Sequence, residues 1–151
     1  MKKIALIMTA VAALTACSDG IGSQQQQAAG RVATDFAEAY FDMNYLRAND
    51  FVTTESAKWL AFVATNIGQE DIDVANTRNE GARVTLTSCE ALNDTTCEAL
   101  LEVDNYVAAD SIGRPAVVRD GGVFRLKVVL RDGRWQVRME GLPRSEKHSR
   151  D

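Results

Sequence analysis

One histidine, His148, occurs in 151 residues, and that scarcity removes more chemistry than any other feature of the composition. A Ser-His-Asp triad or a histidine-based zinc site has almost nothing to build on. His148 itself sits in the polar run Arg144 to Asp151, which reads as a solvated terminus. Neither G-x-x-x-x-G-K nor G-x-G-x-x-G occurs, so no phosphate-cradling loop is visible. C-x-x-C is missing as well, which removes a thioredoxin-like redox motif. Basic residues are outnumbered, 17 against 21 acids, and no polybasic run stands out, which speaks against nucleic acid as a partner. No internal repeat is found. Neither a cofactor nor a metal site is expected from these residues.

What is present begins with MKKIALIMTAVAALTACSDG. Lys2 and Lys3 form a positive start, and Ile4 to Leu14 an uncharged apolar run. That run is shorter than the roughly 20 residues a membrane span needs, and it has the proportions of a secretion signal. Leu14-Thr15-Ala16-Cys17 resembles the lipobox of bacterial lipoproteins. The resemblance implies cleavage before Cys17, diacylglycerol on its sulfur and a further palmitate-type acyl chain on its amino group. Two or more chains would hold the protein stably on a membrane. Ser18 after the cysteine is similar to an outer-membrane address, with the periplasmic and surface sides both open. Cleavage would remove Lys2 and Lys3 and no acid, leaving the exported part more acidic than the chain's net −4.

Four segments follow: a signal over 1–16, a lipidated cysteine and flexible tether over 17–30, a domain over 31–141 and a polar tail over 142–151. The tether reading rests on the glycine, serine and glutamine of SDGIGSQQQQAAG, with a helix starting inside QQQQAA as the alternative. Val32, Phe36, Tyr40 and Met43 recur at helical spacing, widened by Ala33, Ala39 and Leu46, which predicts a helix ending near Ala48-Asn49-Asp50. A second helix is expected from Thr54, with Trp59, Leu60, Phe62, Val63 and Ile67 as its apolar side and a stop at Asn66 to Gly68. Gln69 to Asn76 is expected to add a helical turn.

The period then falls to two. Val84 and Leu86 alternate with Arg83, Thr85 and Thr87. After a turn at Asn93-Asp94, Cys97, Ala99, Leu101, Val103 and Val107 share a face. Phe124, Leu126, Val128 and Leu130 line another strand, and Asp132-Gly133 joins it to Trp135, Val137 and Met139. Helices first and an antiparallel meander after them predict an α+β fold: an N-terminal helical hairpin packed on a curved sheet of about four strands. With AYFDMNYLRANDF and the late DGRWQV strand, the pattern resembles cystatin-like, nuclear-transport-factor-two-like lipoprotein domains. That resemblance implies a cone between helices and sheet, which in such folds binds small ligands, forms homodimers or hosts catalysis.

The remaining cysteines, Cys89 and Cys97, flank a hairpin turn in a chain expected to be exported, which makes them a candidate disulfide. A two-residue Asn93-Asp94 loop pairs Leu92 with Thr95, Leu86 with Leu101 and Val84 with Val103, and turns Cys89 to the opposite face from Cys97. A bulge between Thr87 and Cys89, or a longer loop, would bring it back. Tyr40, Trp59, Phe62, Phe124, Asp104 and Tyr106 are the candidate pocket residues, with Asp104 or Tyr106 as a general base if the cone is catalytic. Against that, Glu98, Glu102 and Asp104 facing Arg125, Lys127 and Arg131 describe a solvated sheet face with cross-strand ion pairs.

The expected function is therefore that of a non-catalytic, lipid-anchored envelope protein binding a small apolar ligand or a partner protein. A small isomerase or dehydratase and an accessory subunit of an outer-membrane complex are the alternatives. Growth of an expressing Gram-negative host on an alkyne-tagged fatty acid should label the chain, and Cys17→Ala should abolish the label on a blot of the full-length protein.

Overall fold

A computed structural model describes residues 21–109 and 114–146. Cys17 with its signal, and His148, lie outside the described residues. Helix α1 (Ser23–Phe41) starts just before the glutamine run, so the stretch expected to be tether is helical from Ser23, nearer to the alternative of a helix over QQQQAA. The reason is packing rather than propensity. Ala29, Gly30 and Ala33 continue the stripe of Phe36, Ala37, Tyr40 and Phe41 toward the N-terminus, and all of them are buried. The Trp135 indole N–H also donates to Gln25 Oε1 at 2.8 Å.

The stripe does not extend to Leu46. Met43 adopts φ 58°, a left-handed conformation that ends the helix. Asn44 then accepts the Arg47 N–H at 3.1 Å and opens the short helix α2 (Tyr45–Ala48). Leu46 is left 87% exposed. Two 3-10 turns, Asn49–Phe51 and Thr54–Ser56, lead into α3 (Ala57–Asn66) and α4 (Gln69–Asn76). Helix α1 packs on the sheet, while α3 packs against α2.

Strands β1 (Arg83–Asn93) and β2 (Thr96–Asp104) form a hairpin, and β3 (Tyr106–Ala108) pairs separately with β4 (Val117–Arg119). Strands β5 (Gly122–Arg131) and β6 (Arg134–Arg138) complete an open antiparallel sheet of order β1-β2-β5-β6. The architecture is α+β. Cys97, Ala99, Leu101 and Val103 form the buried floor of β2, each at 0% exposure, and face Phe124, Leu126 and Val128 across the ladder. Val107 does not continue that face. Asn105 turns at φ 55°, and Tyr106 takes the buried position in its place.

The β1–β2 turn lies at Asp94-Thr95, one residue later than the sequence suggests, because Asn93 Oδ1 accepts the Thr95 N–H at 2.9 Å. Thr87 is skipped in the ladder between Leu86↔Leu101 and Ser88↔Leu100, and Leu92 between Ala91↔Cys97 and Asn93↔Thr96. The Thr87 bulge rotates Cys89 and Ala91 onto the inner face, opposite Ala99 and Cys97. At the other end of the sheet order, Val52 bridges Val137 in parallel, and the Thr53 N–H donates to Val137 O at 3.0 Å. Asp132 (φ 51°) and Gly133 (φ 74°) make the tight turn between β5 and β6.

Gly30 marks the closest approach of α1 to β1. A Cβ there would stand 2.7 Å from Leu86 Cδ2 and 3.6 Å from Cys89 Cβ. Gly30→Val should therefore cost about 1–3 kcal/mol through overpacking, read as a drop of several degrees in thermal melting. Gly141→Val, where nothing lies within 4 Å, is the matched control and should melt near the parent.

Candidate functional site

The interior between α1 and the sheet is filled with rings. Phe41 and Phe124 lie 4.4 Å apart between centroids, and Tyr106 closes edge-on to both at 5.3 and 5.5 Å. Tyr40 stacks on Phe36 at 5.6 Å and meets Phe41 edge-on at 5.1 Å. Three of the expected pocket residues, Tyr40, Tyr106 and Phe124, are thus brought together, but as packing rather than as pocket walls. Burial pushes the Tyr40 phenol well above its ordinary value, and burial followed by Asp71 pushes Tyr45 up to about 12. Neither hydroxyl is tuned toward proton transfer at neutral pH.

The other members of that set are elsewhere. Phe62 is 49% exposed on α3, and Trp59 is half-buried with Lys58 Nζ 5.4 Å from its ring centroid. Asp104 Oδ1 accepts the Gly121 N–H at 2.7 Å, which holds the turn into β5. A few residues away, Asp42 Oδ1 accepts the Ala82 N–H at 2.7 Å and pairs with Arg78 at 3.3 Å. Arg78 in turn donates to Asn105 O at 2.7 Å, and Asn105 donates to Glu80 O and takes Asp120 on its backbone N–H. These groups spend their hydrogen bonds on fixing the kink between β2 and β3. They are structural.

Cys89 and Cys97 share the inner face as diagonal neighbours and stand as thiols in this structure. Burial raises both thiol pKa values, Cys97 up to about 11 with Cys89 adding to the shift. Thr53 and Ser56 are buried hydroxyls 2.7 Å apart, and Ser56 Oγ also accepts the Met139 N–H at 2.8 Å. That use ties α3 to the end of β6. Among the described residues no three metal-ligating side chains gather.

The largest concentration of charge sits on the outer face of β5 and β6. Lys127 lies directly opposite Arg138, and Arg131 opposite Arg134. Like charges in such positions repel, and carboxylates from elsewhere answer them. Glu55 takes Arg131 through both oxygens at 2.7 and 2.8 Å. Glu98 and Glu146 each meet Arg125 at 2.7 Å, and Glu140 stands 3.8 Å from both Lys127 and Arg138. Beside this face a groove of about 300 Å³ runs between Lys58 and Trp59 on one wall and Arg131, Arg138 and Glu140 on the other. The sequence contains no polybasic run, yet the hairpin assembles one across two strands. Its signal was the alternation of Arg125, Lys127 and Arg131 with a second set at Arg134 and Arg138. A second shallow groove of about 300 Å³ lies between α1 and Leu86.

No described protein family, curated protein or solved structure matches the chain.

Arg125 holds the Glu146 carboxyl below its ordinary pKa through their hydrogen bond, and Ser145 beside it accepts the Val123 N–H at 3.2 Å. For a depressed carboxyl the contribution is complete above the unfolded pKa and disappears as pH falls through the folded one. The protection factor of the Val123 amide, its exchange rate relative to an unstructured amide at the same pH, should therefore be high at neutral pH and fall in the acid range below the usual glutamate value. Arg125→Gln should produce the low protection at neutral pH.

Proposed function

We propose that the chain is a lipid-anchored, non-catalytic lipoprotein of the bacterial outer membrane, whose cystatin-like domain acts by binding a partner protein at its surface. The lipobox resemblance at Cys17 supports the anchor. The helical segments on one face of an antiparallel sheet support the domain type, with the interior cone closed by its own side chains. No helix among the described residues is long and apolar enough to cross a membrane.

One observation carries the choice of partner over small ligand. The rings of Phe36, Tyr40, Phe41, Tyr106 and Phe124 occupy the space a ligand would need. Large apolar side chains are instead spent on the surface, where Leu46 and Phe62 stand 87% and 49% exposed on the adjoining helices α2 and α3. We take these two side chains, on helices that touch each other, as the surface offered to a partner. Neither candidate general base of the catalytic alternative faces an open pocket: Asp104 Oδ1 accepts the Gly121 amide, and Tyr106 is packed against Phe41 and Phe124.

Two measurements test the reading. Native mass spectrometry of the protein purified from its membrane should give the acylated chain with no further small molecule, and a retained mass that leaves on denaturation would restore the ligand version. A photo-crosslinking residue placed at Leu46 in cells should give one discrete adduct, weakened at least tenfold by Phe62→Asp. An adduct pattern unchanged by that substitution would remove α2 and α3 as the contact.

A further inference from the structure

The outer face of the β5–β6 hairpin carries Arg125, Lys127, Arg131, Arg134 and Arg138, and Lys58 joins them across the groove. Four carboxylates, Glu55, Glu98, Glu140 and Glu146, are within ion-pair reach of members of this set. Counted over the hairpin strands and Lys58 alone, six cations meet these four carboxylates, while Glu90, Glu102 and Asp104 lie on the β1 and β2 part of the same sheet face. Two cross-strand pairs of like charge are kept, and Lys127 and Arg138 share one carboxylate at the long distance of 3.8 Å. Solubility does not require that arrangement. An anionic surface laid against it would relieve the repulsion.

Trp59 adds a second property. It is half-buried in the groove wall with Lys58 above its ring and Arg131 and Arg138 opposite. A ring with an apolar body and an N–H edge suits the boundary between lipid headgroups and water.

The third observation is the direction from which the lipid arrives. The Gln25–Trp135 hydrogen bond fixes the first turn of α1 beside β6. Cys17 precedes Ser23 by six residues, at most about 22 Å of chain. The Gln25–Trp135 bond is made by the inner face of β6, so a lipid on Cys17 starts from the helical side of the sheet, and about 22 Å of chain is enough to reach round the β6 edge to the outer face.

We infer that the outer face of β5 and β6, with the Lys58–Trp59 groove, is a seat for anionic lipid headgroups that lays the domain down on the membrane holding its own lipid. The inference rests on the lipid-anchor reading and adds an orientation to it. Phosphate or phosphatidylglycerol-type headgroups meet Lys127, Arg134 and Arg138, and Trp59 lies at headgroup depth. Each cation near such a surface contributes about 1 kcal/mol, a factor of about five in the seating equilibrium.

The test uses the full-length protein extracted from a Gram-negative host, its acylation confirmed by intact mass, reconstituted in vesicles. One set is phosphatidylcholine alone and the other includes phosphatidylglycerol, and both carry a headgroup spin label that quenches tryptophan. Quenching is expected in the anionic vesicles only, reversed by high salt and missing in Trp59→Phe, because Trp135 is buried. Arg134→Gln and Arg138→Gln should each weaken the seated state about fivefold while leaving the circular dichroism unchanged. Equal quenching in neutral and anionic vesicles, with the acyl mass present, overturns the seat and spares the anchor. A chain whose mass shows no acyl group overturns both. Quenching that survives Trp59→Phe overturns the assignment of this face.

Discussion

The close approach of α1 to the sheet at Gly30 is the constraint on which the remaining packing depends. Small residues, Ala29, Gly30 and Ala33, line the N-terminal half of the helix, and rings, Phe36, Tyr40 and Phe41, line its C-terminal half. Contact is tight at Gly30, where a Cβ would press on the Leu86 side chain, and filled by aromatic side chains beyond it. The rings then need partners of their own size. Tyr106 and Phe124 supply them from the sheet, each aromatic pair adding about 0.5–1.5 kcal/mol beyond the area it buries. For Tyr106 to reach that position β2 has to end, and the left-handed Asn105 ends it. The Asp42–Arg78–Asn105 hydrogen bonds hold the resulting kink. One gradient of side-chain size along one helix thus fixes where the sheet stops and why rings fill the space between Tyr40, Tyr106 and Phe124.

The outer face follows a different logic. Charged side chains hold much of it, the acids mainly on β1 and β2, where Arg83 is the exception, and the bases mainly on β5 and β6. Glu90, Glu98 and Glu102 lie on β1 and β2, and five cations lie on β5 and β6. The boundary is stitched by Arg125 between Glu98 and Glu146. Such exposed pairs contribute little to stability. Their effect is on what the face attracts.

Much of the fold was legible because buried residues announce their period. The inner positions of β2, β5 and β6 are those the alternation marks, from Cys97 to Met139, and the Leu86↔Leu101 and Val84↔Val103 register falls where the apolar faces demand. The start of α1 was hidden because alanine and glycine bury a face without looking apolar. The break at Met43 was hidden because a methionine with φ 58° carries no signal in its side chain, and it left Leu46 outside. The candidate site was less legible still. Tyr40, Tyr106 and Phe124 do meet, but whether rings line a space or fill it depends on Phe36 and Phe41 arriving between them, which spacing does not encode. The basic face was invisible as a run because its members alternate with core residues on two strands.

The two interruptions in β1 have a consequence for the molecule's dealings with its own kind. The far edge of the sheet meets the chain at Val52 and Thr53, so among the described residues β1 is the long edge where another strand could add. The bulges at Thr87 and Leu92 cut its eleven residues into the regular stretches Arg83–Leu86 and Ser88–Ala91. Stretches that short, twisted relative to each other, are poor templates for a neighbour. The same bulge that turns Cys89 inward therefore keeps the β1 edge from recruiting a strand of another copy.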